Sequence, residues 1–256
     1  VTIGQSETGN DISIAKVWDL STQNVEMTFD IRSESVPLVA LNRAGTNIAT
    51  VCNLDVGANL QASPEIKLWD SVTGECLHTM RGHLAIANCV SFNPQGNLLY
   101  TGSTDKTLII WDVKTGAQLK VVKMDASVSA IAMRPDGKQL AVGHDDGSIS
   151  LWRPDTMVIQ GRLAGSSGLV TGLSFSPDGQ QLASCSLSDA KLRVWNLIDN
   201  TMAFEVQAHE SRVTSVSYSA DGERLLTSGG DNTARLWDAK NGRELLALEH
   251  PGSLRT

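Results

Sequence analysis

HESRVTSVSYSADGERLLTSGGDNTARLWD, residues 209–238, carries the pattern that organises the whole chain. Val213, Ser215 and Ser217 alternate with Thr214, Val216 and Tyr218, and two further short runs follow, Leu225-Leu226 and then Ala234, Leu236 and Trp237. A period of two over runs this short predicts strands, not helices. Versions of the stretch recur upstream, placing tryptophans at Trp18, Trp69, Trp111, Trp152, Trp195 and Trp237 with spacings of 51, 42, 41, 43 and 42. A near-constant spacing of this size points to a stacked or radial array of one repeated unit.

Four strands, a to d, fit each unit. In the last full unit they fall near 212–218, 223–228, 233–237 and 243–248. The a–b turn reads SADGE there and RPDGK, SPDGQ, NPQGN and NRAGT elsewhere, each with a glycine to take the positive φ of a tight hairpin. Because successive strands run antiparallel, a–b and c–d turns lie at one end of the strands, and b–c and d–a turns at the other. The expected organisation is a single repeat domain over 1–256: a partial unit at 1–30, full units at 35–80, 81–122, 124–162, 166–206 and 209–248, and the start of a further strand a at 250–256. In the partial unit, 1–3, 13–18 and 25–29 are read as strands b, c and d, and strand a is missing. Two readings stand for the ends: residues 253–256 complete the first sheet and close six blades, or the chain is part of a seven-bladed or larger array.

Composition narrows the function classes. A formal charge of −7 with scattered Lys and Arg argues against a general nucleic-acid binder, which needs clustered cations. No run of about 18 apolar residues occurs, so no helical membrane span is expected. The opening VTIGQSETGN, which does not begin with Met, contains neither a basic nor a hydrophobic segment of a signal peptide. Cys52, Cys76, Cys89 and Cys185 lack the close paired spacing of a zinc or redox motif, so buried or half-buried free thiols in a reducing, cytoplasmic compartment are expected.

The c-strand endings KVWD (16–19), KLWD (67–70), IIWD (109–112) and RLWD (235–238), with SLWR (150–153) and RVWN (193–196) as departures, resemble those of the WD-repeat family of β-propellers across nearly the whole chain. The resemblance implies an all-β fold of four-stranded antiparallel blades. It also implies a hydrogen-bonded staple in each blade, from a His in the d–a loop, a Ser or Thr on strand b, an Asp in the b–c turn and the strand-c Trp. A buried indole N–H needs an acceptor, and a hydroxyl, an imidazole and a carboxylate can pass the bonding on. Two units match in full: His83, Thr101, Asp105 and Trp111, and His209, Thr227, Asp231 and Trp237. The Trp195 unit keeps Ser184 and Asp189 but has Ser166 at the His position; the Trp152 unit keeps Asp146 but has Val142 for the hydroxyl and Met124 for the His. A constellation repeated in two units reads as structure, not as a catalytic triad.

The same resemblance makes the d–a and b–c side the partner-binding face. Carried over position by position, it consists of Ser35, Pro37, Ile86, Asn88, Thr104, Ser127, Ser129, Asp145, Leu169, Thr171, Ser188, Arg212, Thr214 and Gly230. This set is small and polar, poor in the aromatics and arginines of protein hot spots. Two enlarged b–c connections, 5–11 and 53–64, rise from the same side and are read either as tolerated insertions or as a partner contact. HDDG (144–147) reads as an acidic hairpin turn, not a metal site, and GSSG (165–168) as a d–a turn, not a phosphate cradle. Strand a offers mainly Ser, Ala, Val and Thr to a channel, with no acid, base or nucleophile pair. The expected function is a noncatalytic protein-protein interaction scaffold, a sensor or regulatory region of a larger multidomain protein. Its partners would be proteins, peptides or other domains of the same chain, not nucleic acid or membrane, and it would need no cofactor. The alternatives are a propeller-based enzyme with a channel site, or a sensor fused to an effector enzyme.

Overall fold

The structure is a computed structural model, and it describes residues 2–5, 12–19, 22, 24–32, 38–53 and 64–249. Among these residues every regular element is a strand. The chain divides into two compact units, 1–128 and 129–256.

The first unit holds a three-stranded sheet, β1 (Thr2–Gln5), β2 (Ile12–Asp19) and β3 (Asn24–Arg32), paired in that order. Two four-stranded sheets follow. One contains β4 (Leu38–Leu41), β5 (Asn47–Cys52), β6 (Glu65–Asp70) and β7 (Cys76–Met80); the other contains β8 (Ala87–Phe92), β9 (Leu98–Ser103), β10 (Thr107–Asp112) and β11 (Gln118–Lys123). The second unit holds three sheets: β12 (Val128–Met133) to β15 (Val158–Leu163), with β13 (Leu140–His144) and β14 (Ile149–Arg153) between; β16 (Val170–Phe175), β17 (Gln181–Ser186), β18 (Lys191–Asn196) and β19 (Thr201–Gln207); and β20 (Val213–Tyr218), β21 (Arg224–Gly229), β22 (Thr233–Asp238) and β23 (Glu244–Glu249). All pairings are antiparallel meanders. Strand boundaries match the sequence reading to within one or two residues, except that β3 runs on to Arg32. The expected closing strand at 253–256 lies outside the described residues, as do 33–37, 6–11 and 54–63.

The side chains explain why these runs sit as strands in the middle of their sheets. β5, β9 and β17 read NIATVC, LLYTGS and QLASCS, and all but the first residue of each is buried. Burial on both faces favours small and aliphatic residues over strict polar alternation. The outer strands β11 and β23 are largely or wholly exposed. Within the first unit, Ala49, Val51, Ile66 and Leu68 of one sheet face Ala87, Leu99, Ile109 and Trp111 of the next. Within the second unit, Ala183, Leu192 and Val194 face Val213, Leu225 and Trp237 in the same way. In both pairs the aliphatic face is covered by the tryptophan face of the following sheet.

A register shift precedes the tryptophan on the c–d ladder of every sheet, at Trp18, Trp69, Trp111, Trp152, Trp195 and Trp237. A bulge adds local twist and re-aims the side chain beside it, so the recurring tryptophan and the recurring bulge are one device. The a–b hairpins close as expected, with Gly45, Gly96, Gly137, Gly179 and Gly222 all at positive φ. At the c–d turns Gly74, Gly116 and Gly242 take this conformation, but Met157 and Asn200 adopt it at the equivalent places, with φ of 56° and 57°.

Cys52, Cys89 and Cys185 are buried free thiols, and burial pushes them up to about 11, 12 and 12 respectively. Cys76 departs from the expectation of burial: it sits on the outer strand β7 and is exposed.

Candidate functional site

In the sheet of β8–β11, Trp111 Nε1 donates to Thr101 Oγ1 at 2.9 Å, Thr101 Oγ1 lies 2.8 Å from His83 Nε2, and His83 Nδ1 lies 3.1 Å from Asp105 Oδ2. In the sheet of β20–β23 the same chain runs from Trp237 to Thr227 at 2.9 Å, Thr227 to His209 at 2.8 Å and His209 to Asp231 at 2.9 Å. Thr101 and Thr227 have no exposure at all, and both imidazoles are buried. A neutral ring satisfies every group: the indole donates to the hydroxyl, the hydroxyl to Nε2, and Nδ1–H to the carboxylate. The carboxylates are further tied to backbone, Asp105 by the Leu84 and Thr107 amides and Asp231 by the Glu210 and Thr233 amides.

The electrostatics agree with that proton arrangement. Burial is the main influence on His83 and His209 and lowers both below the ordinary imidazole range, although Asp105 and Asp231 pull the other way. Burial alone would raise the carboxylates, but the amides, threonine hydroxyls and histidines around them outweigh it, and Asp231 settles at about 2. Folding therefore depends on pH in two windows. The unfolded chain protonates its histidines near pH 6.5, so stability is full above that value and falls as pH drops from it toward the lower folded-state pKa. A second loss begins near pH 4 and continues toward about 2 as Asp231 is forced to protonate. Melting temperature followed against pH should show both steps, and His83→Gln with His209→Gln should flatten the upper one. An upper step unchanged in that variant would contradict the assignment.

The other sheets build the staple differently. In the sheet of β12–β15, Trp152 Nε1 donates to Ser150 Oγ at 2.7 Å and Ser150 Oγ lies 2.8 Å from His144 Nε2. Val142 and Ser150 are direct cross-strand partners, so hydroxyl and aliphatic group have changed places across the b–c pair. The imidazole has also moved, from the d–a loop to the end of strand b. His144 stands where the last sheet has Gly229, whose missing Cβ would lie 2.3 Å from the His209 ring. One volume is filled by an imidazole in both sheets, delivered by different strands. HDDG is therefore a hairpin whose first residue is a buried staple histidine, while Asp146 accepts from the Ser148 amide as the turn Asp does elsewhere.

In the sheet of β16–β19, Trp195 Nε1 donates to Ser184 Oγ at 3.0 Å, and the buried Arg193 pairs with Asp189 and, at 2.7 Å, with Glu205. A guanidinium holds the turn carboxylate here. Ser166 keeps the d–a loop but makes a short turn, its Oγ donating to the Gly168 carbonyl. The loop closes so tightly on the preceding b–c turn that a Cβ on Gly165 would lie 1.6 Å from the Gly147 carbonyl oxygen. In the sheet of β4–β7, Trp69 Nε1 donates to Thr50 Oγ1 at 2.9 Å.

Of the residues assigned to the d–a and b–c side, Ile86, Thr104, Asp145, Ser188 and Arg212 are exposed, and Ser127, Leu169 and Gly230 are half-buried. Ile86, Thr104 and Ser127 adjoin: the Thr104 amide donates to the Ile86 carbonyl at 2.9 Å, and Ser127 Oγ to the Thr104 carbonyl. Arg212 lies over Gly230, whose amide donates to the Arg212 carbonyl at 2.8 Å. Several others are engaged inside the fold. Asn88 Nδ2 donates to the Val128 carbonyl, Thr171 Oγ1 to the Val213 carbonyl and Thr214 Oγ1 to the Ser228 carbonyl, while Ser129 is buried. The residue equivalent to Thr104 and Gly230 in the β16–β19 sheet is Leu187, whose amide donates to the Leu169 carbonyl. Ser188 is an extra residue in that turn, which is why the Trp152-to-Trp195 spacing is the longest of the last four. Ser35 and Pro37 lie outside the described residues.

Sequence comparison places this arrangement among known proteins. The model of the WD domain, G-beta repeat family matches residues 74–112, 117–153, 157–196 and 201–238. The chain belongs to that family, and its four-stranded sheets are WD-repeat blades. It is similar to Protein groucho of Drosophila melanogaster (29% identical over 171 residues, 64% of this chain and 23% of that protein). It is also similar to Transducin-like enhancer protein 2 of Mus musculus (33% over 177 residues, 66% and 23%). A third relative is the Periodic tryptophan protein 2 homolog of Schizosaccharomyces pombe (30% over 188 residues, 73% and 19%). The matched region thus amounts to about a quarter or less of each of these relatives.

Proposed function

We propose that this chain is a noncatalytic protein-interaction scaffold, the regulatory region of a larger multidomain protein, working in the cytoplasm. The observation that carries this reading is the fate of the chemically competent groups. His83, His209, Asp105 and Asp231 are consumed in buried staples repeated in two blades, and a repeated structural use argues against catalysis by them. What remains open at the loop ends includes Ile86, Thr104, Asp145, Leu187, Ser188 and Arg212, a surface suited to contact. Arg212 is the residue of that set whose truncation or reversal should matter most, since arginine is enriched among interface hot spots. The reducing compartment rests on three buried free thiols.

The test is quantitative capture of partners by the immobilised domain, comparing wild type with Arg212→Glu. A defined partner should be lost from the variant by about tenfold or more, with the melting temperature unchanged. Equal capture by both proteins would remove Arg212 and its neighbours from the interaction face. A hydrolytic or transfer activity abolished by His209→Ala without loss of stability would overturn the noncatalytic reading itself.

A further inference from the structure

The opposite ends of the strands, where the a–b and c–d turns lie, hold a second candidate. In four of the five blades with a strand a, the residue opening the a–b turn accepts a backbone amide through its side chain. Asn42 Oδ1 accepts from Thr46 and Asn47, Asn93 Oδ1 from Leu98, Ser176 Oγ from Gln181 and Ser219 Oγ from Arg224. The residue ending strand c does the same for the c–d turn. Asp70 accepts from Val72 and Thr73, Asp112 from Thr115, Asn196 from Ile198 and Asp238 from Lys240. In the β12–β15 blade both positions are arginine, Arg134 and Arg153. A guanidinium has no acceptor to give, so this blade has exchanged two turn-capping oxygens for two cations. Breaks in a local rule without a compensating gain in stability mark functional positions.

The two arginines line one cavity of about 540 Å³, together with Lys138, Gln139, Asp155 and Gln160. Lys138 stands where the other blades carry Thr46, Asn97, Gln180 and Glu223, so a third cation joins in this blade alone. Arg134 is held by a fork to Asp136, Nε to Oδ1 at 2.8 Å, which fixes its plane and leaves other N–H groups outside the fork. Asp155 accepts from the Thr156 amide. Among the described residues no ion pair reaches the Lys138 ammonium or the Arg153 guanidinium. Gln139 donates through Nε2 to Gln160 Oε1 at 3.2 Å, while its own Oε1 is buried with no hydrogen-bond partner among the described residues. The cavity therefore asks for negative charge.

We propose that this cleft is a docking site for an extended acidic peptide segment of a partner protein, its carboxylates meeting Arg134, Lys138 and Arg153. Arg134 and Lys138 stand on the a–b turn and Arg153 at the c–d turn, so an extended peptide with carboxylates spaced along it can meet all three, whereas a bare inorganic anion meets one point. In a chain of net charge −7, three cations set against the two carboxylates Asp136 and Asp155 leave this cleft locally positive, an exception that selects by charge. This site lies at the other strand ends from Arg212 and does not depend on the face proposed above.

The test uses the full 256-residue chain and a fluorescent alternating Glu-Ala peptide read by anisotropy at low ionic strength. Arg134→Ser with Arg153→Asn installs residues that other blades carry at these places, so the turns regain their caps. Binding should weaken by about tenfold or more in this variant while its melting temperature holds or rises. A charge-matched control, Arg43→Ser with Lys114→Asn at two exposed positions, should bind as wild type, and so should Arg212→Glu. An alternating Lys-Ala peptide should not bind. The proposal is overturned by any of three results: equal affinity in the Arg134/Arg153 variant, equal weakening in the charge-matched control, or inorganic phosphate competing as strongly as the acidic peptide.

Discussion

Trp111→Ala should be the most damaging single substitution in the first unit, lowering stability by about 3–5 kcal/mol. The side chain is only 2% exposed and sits in the cluster formed by Ala49, Ile66, Leu68 and Leu99, so truncation opens a cavity between two sheets that backbone ladders hold apart. It also removes the donor to Thr101. Trp111→Phe separates the two contributions: most of the apolar volume stays and the hydrogen bond goes, for an expected loss of about 1–3 kcal/mol. Chemical denaturation of the three proteins measures both numbers. Equal losses for Phe and Ala would mean that the indole N–H, not the packing, carries the effect.

Ser150→Ala is the second large expectation and the sharper one, because sequence alone makes it look harmless. It deletes the hydroxyl shared by Trp152 and His144, leaving two buried or half-buried polar groups without that partner, for a loss of about 2–4 kcal/mol. Thr227→Val in the last blade, which orphans Trp237 and His209 in the same way, sets the scale. The matched pair of denaturation curves decides whether the rearranged staple is a real equivalent. If Ser150→Ala costs under a quarter of what Thr227→Val costs, the β12–β15 blade is held by packing alone.

That blade also marks where reading the sequence stopped. Position-by-position comparison found the repeat, the strands and the two complete staples, because in those each role stays on its own strand. It reads Val142 and Met124 as losses. The register pairs Val142 with Ser150 across the sheet, and two residues that face each other share one environment, so a hydroxyl on either serves the same indole. Likewise the sequence reads His144 as part of an acidic turn, because no further metal ligand stands near it at the right spacing. A signal was present: Ser two residues before Trp152, and His two after Val142, are same-face offsets on a strand. Arg193 was missed for a related reason, since a guanidinium reaching Asp189 from strand c replaces an imidazole reaching the turn carboxylate from a loop. The face residues were harder still. Asn88, Thr171 and Thr214 look like free polar side chains until the neighbouring backbone carbonyls are in place.

One feature of the staples reaches beyond stability. Trp69, Trp111, Trp152, Trp195 and Trp237 each donate an indole N–H to a hydroxyl of their own sheet, at 2.7–3.0 Å. Such a proton exchanges with solvent deuterium only when its bond to the hydroxyl breaks, which for the buried Trp111, Trp195 and Trp237 needs the sheet to open, and repeat architectures open in units that sense mainly their neighbours. Each of these five sheets thus carries one isotope-exchange reporter. Their five lifetimes would rank the blades by opening free energy, and the ranking would identify the blade that yields first when a partner pulls on the array.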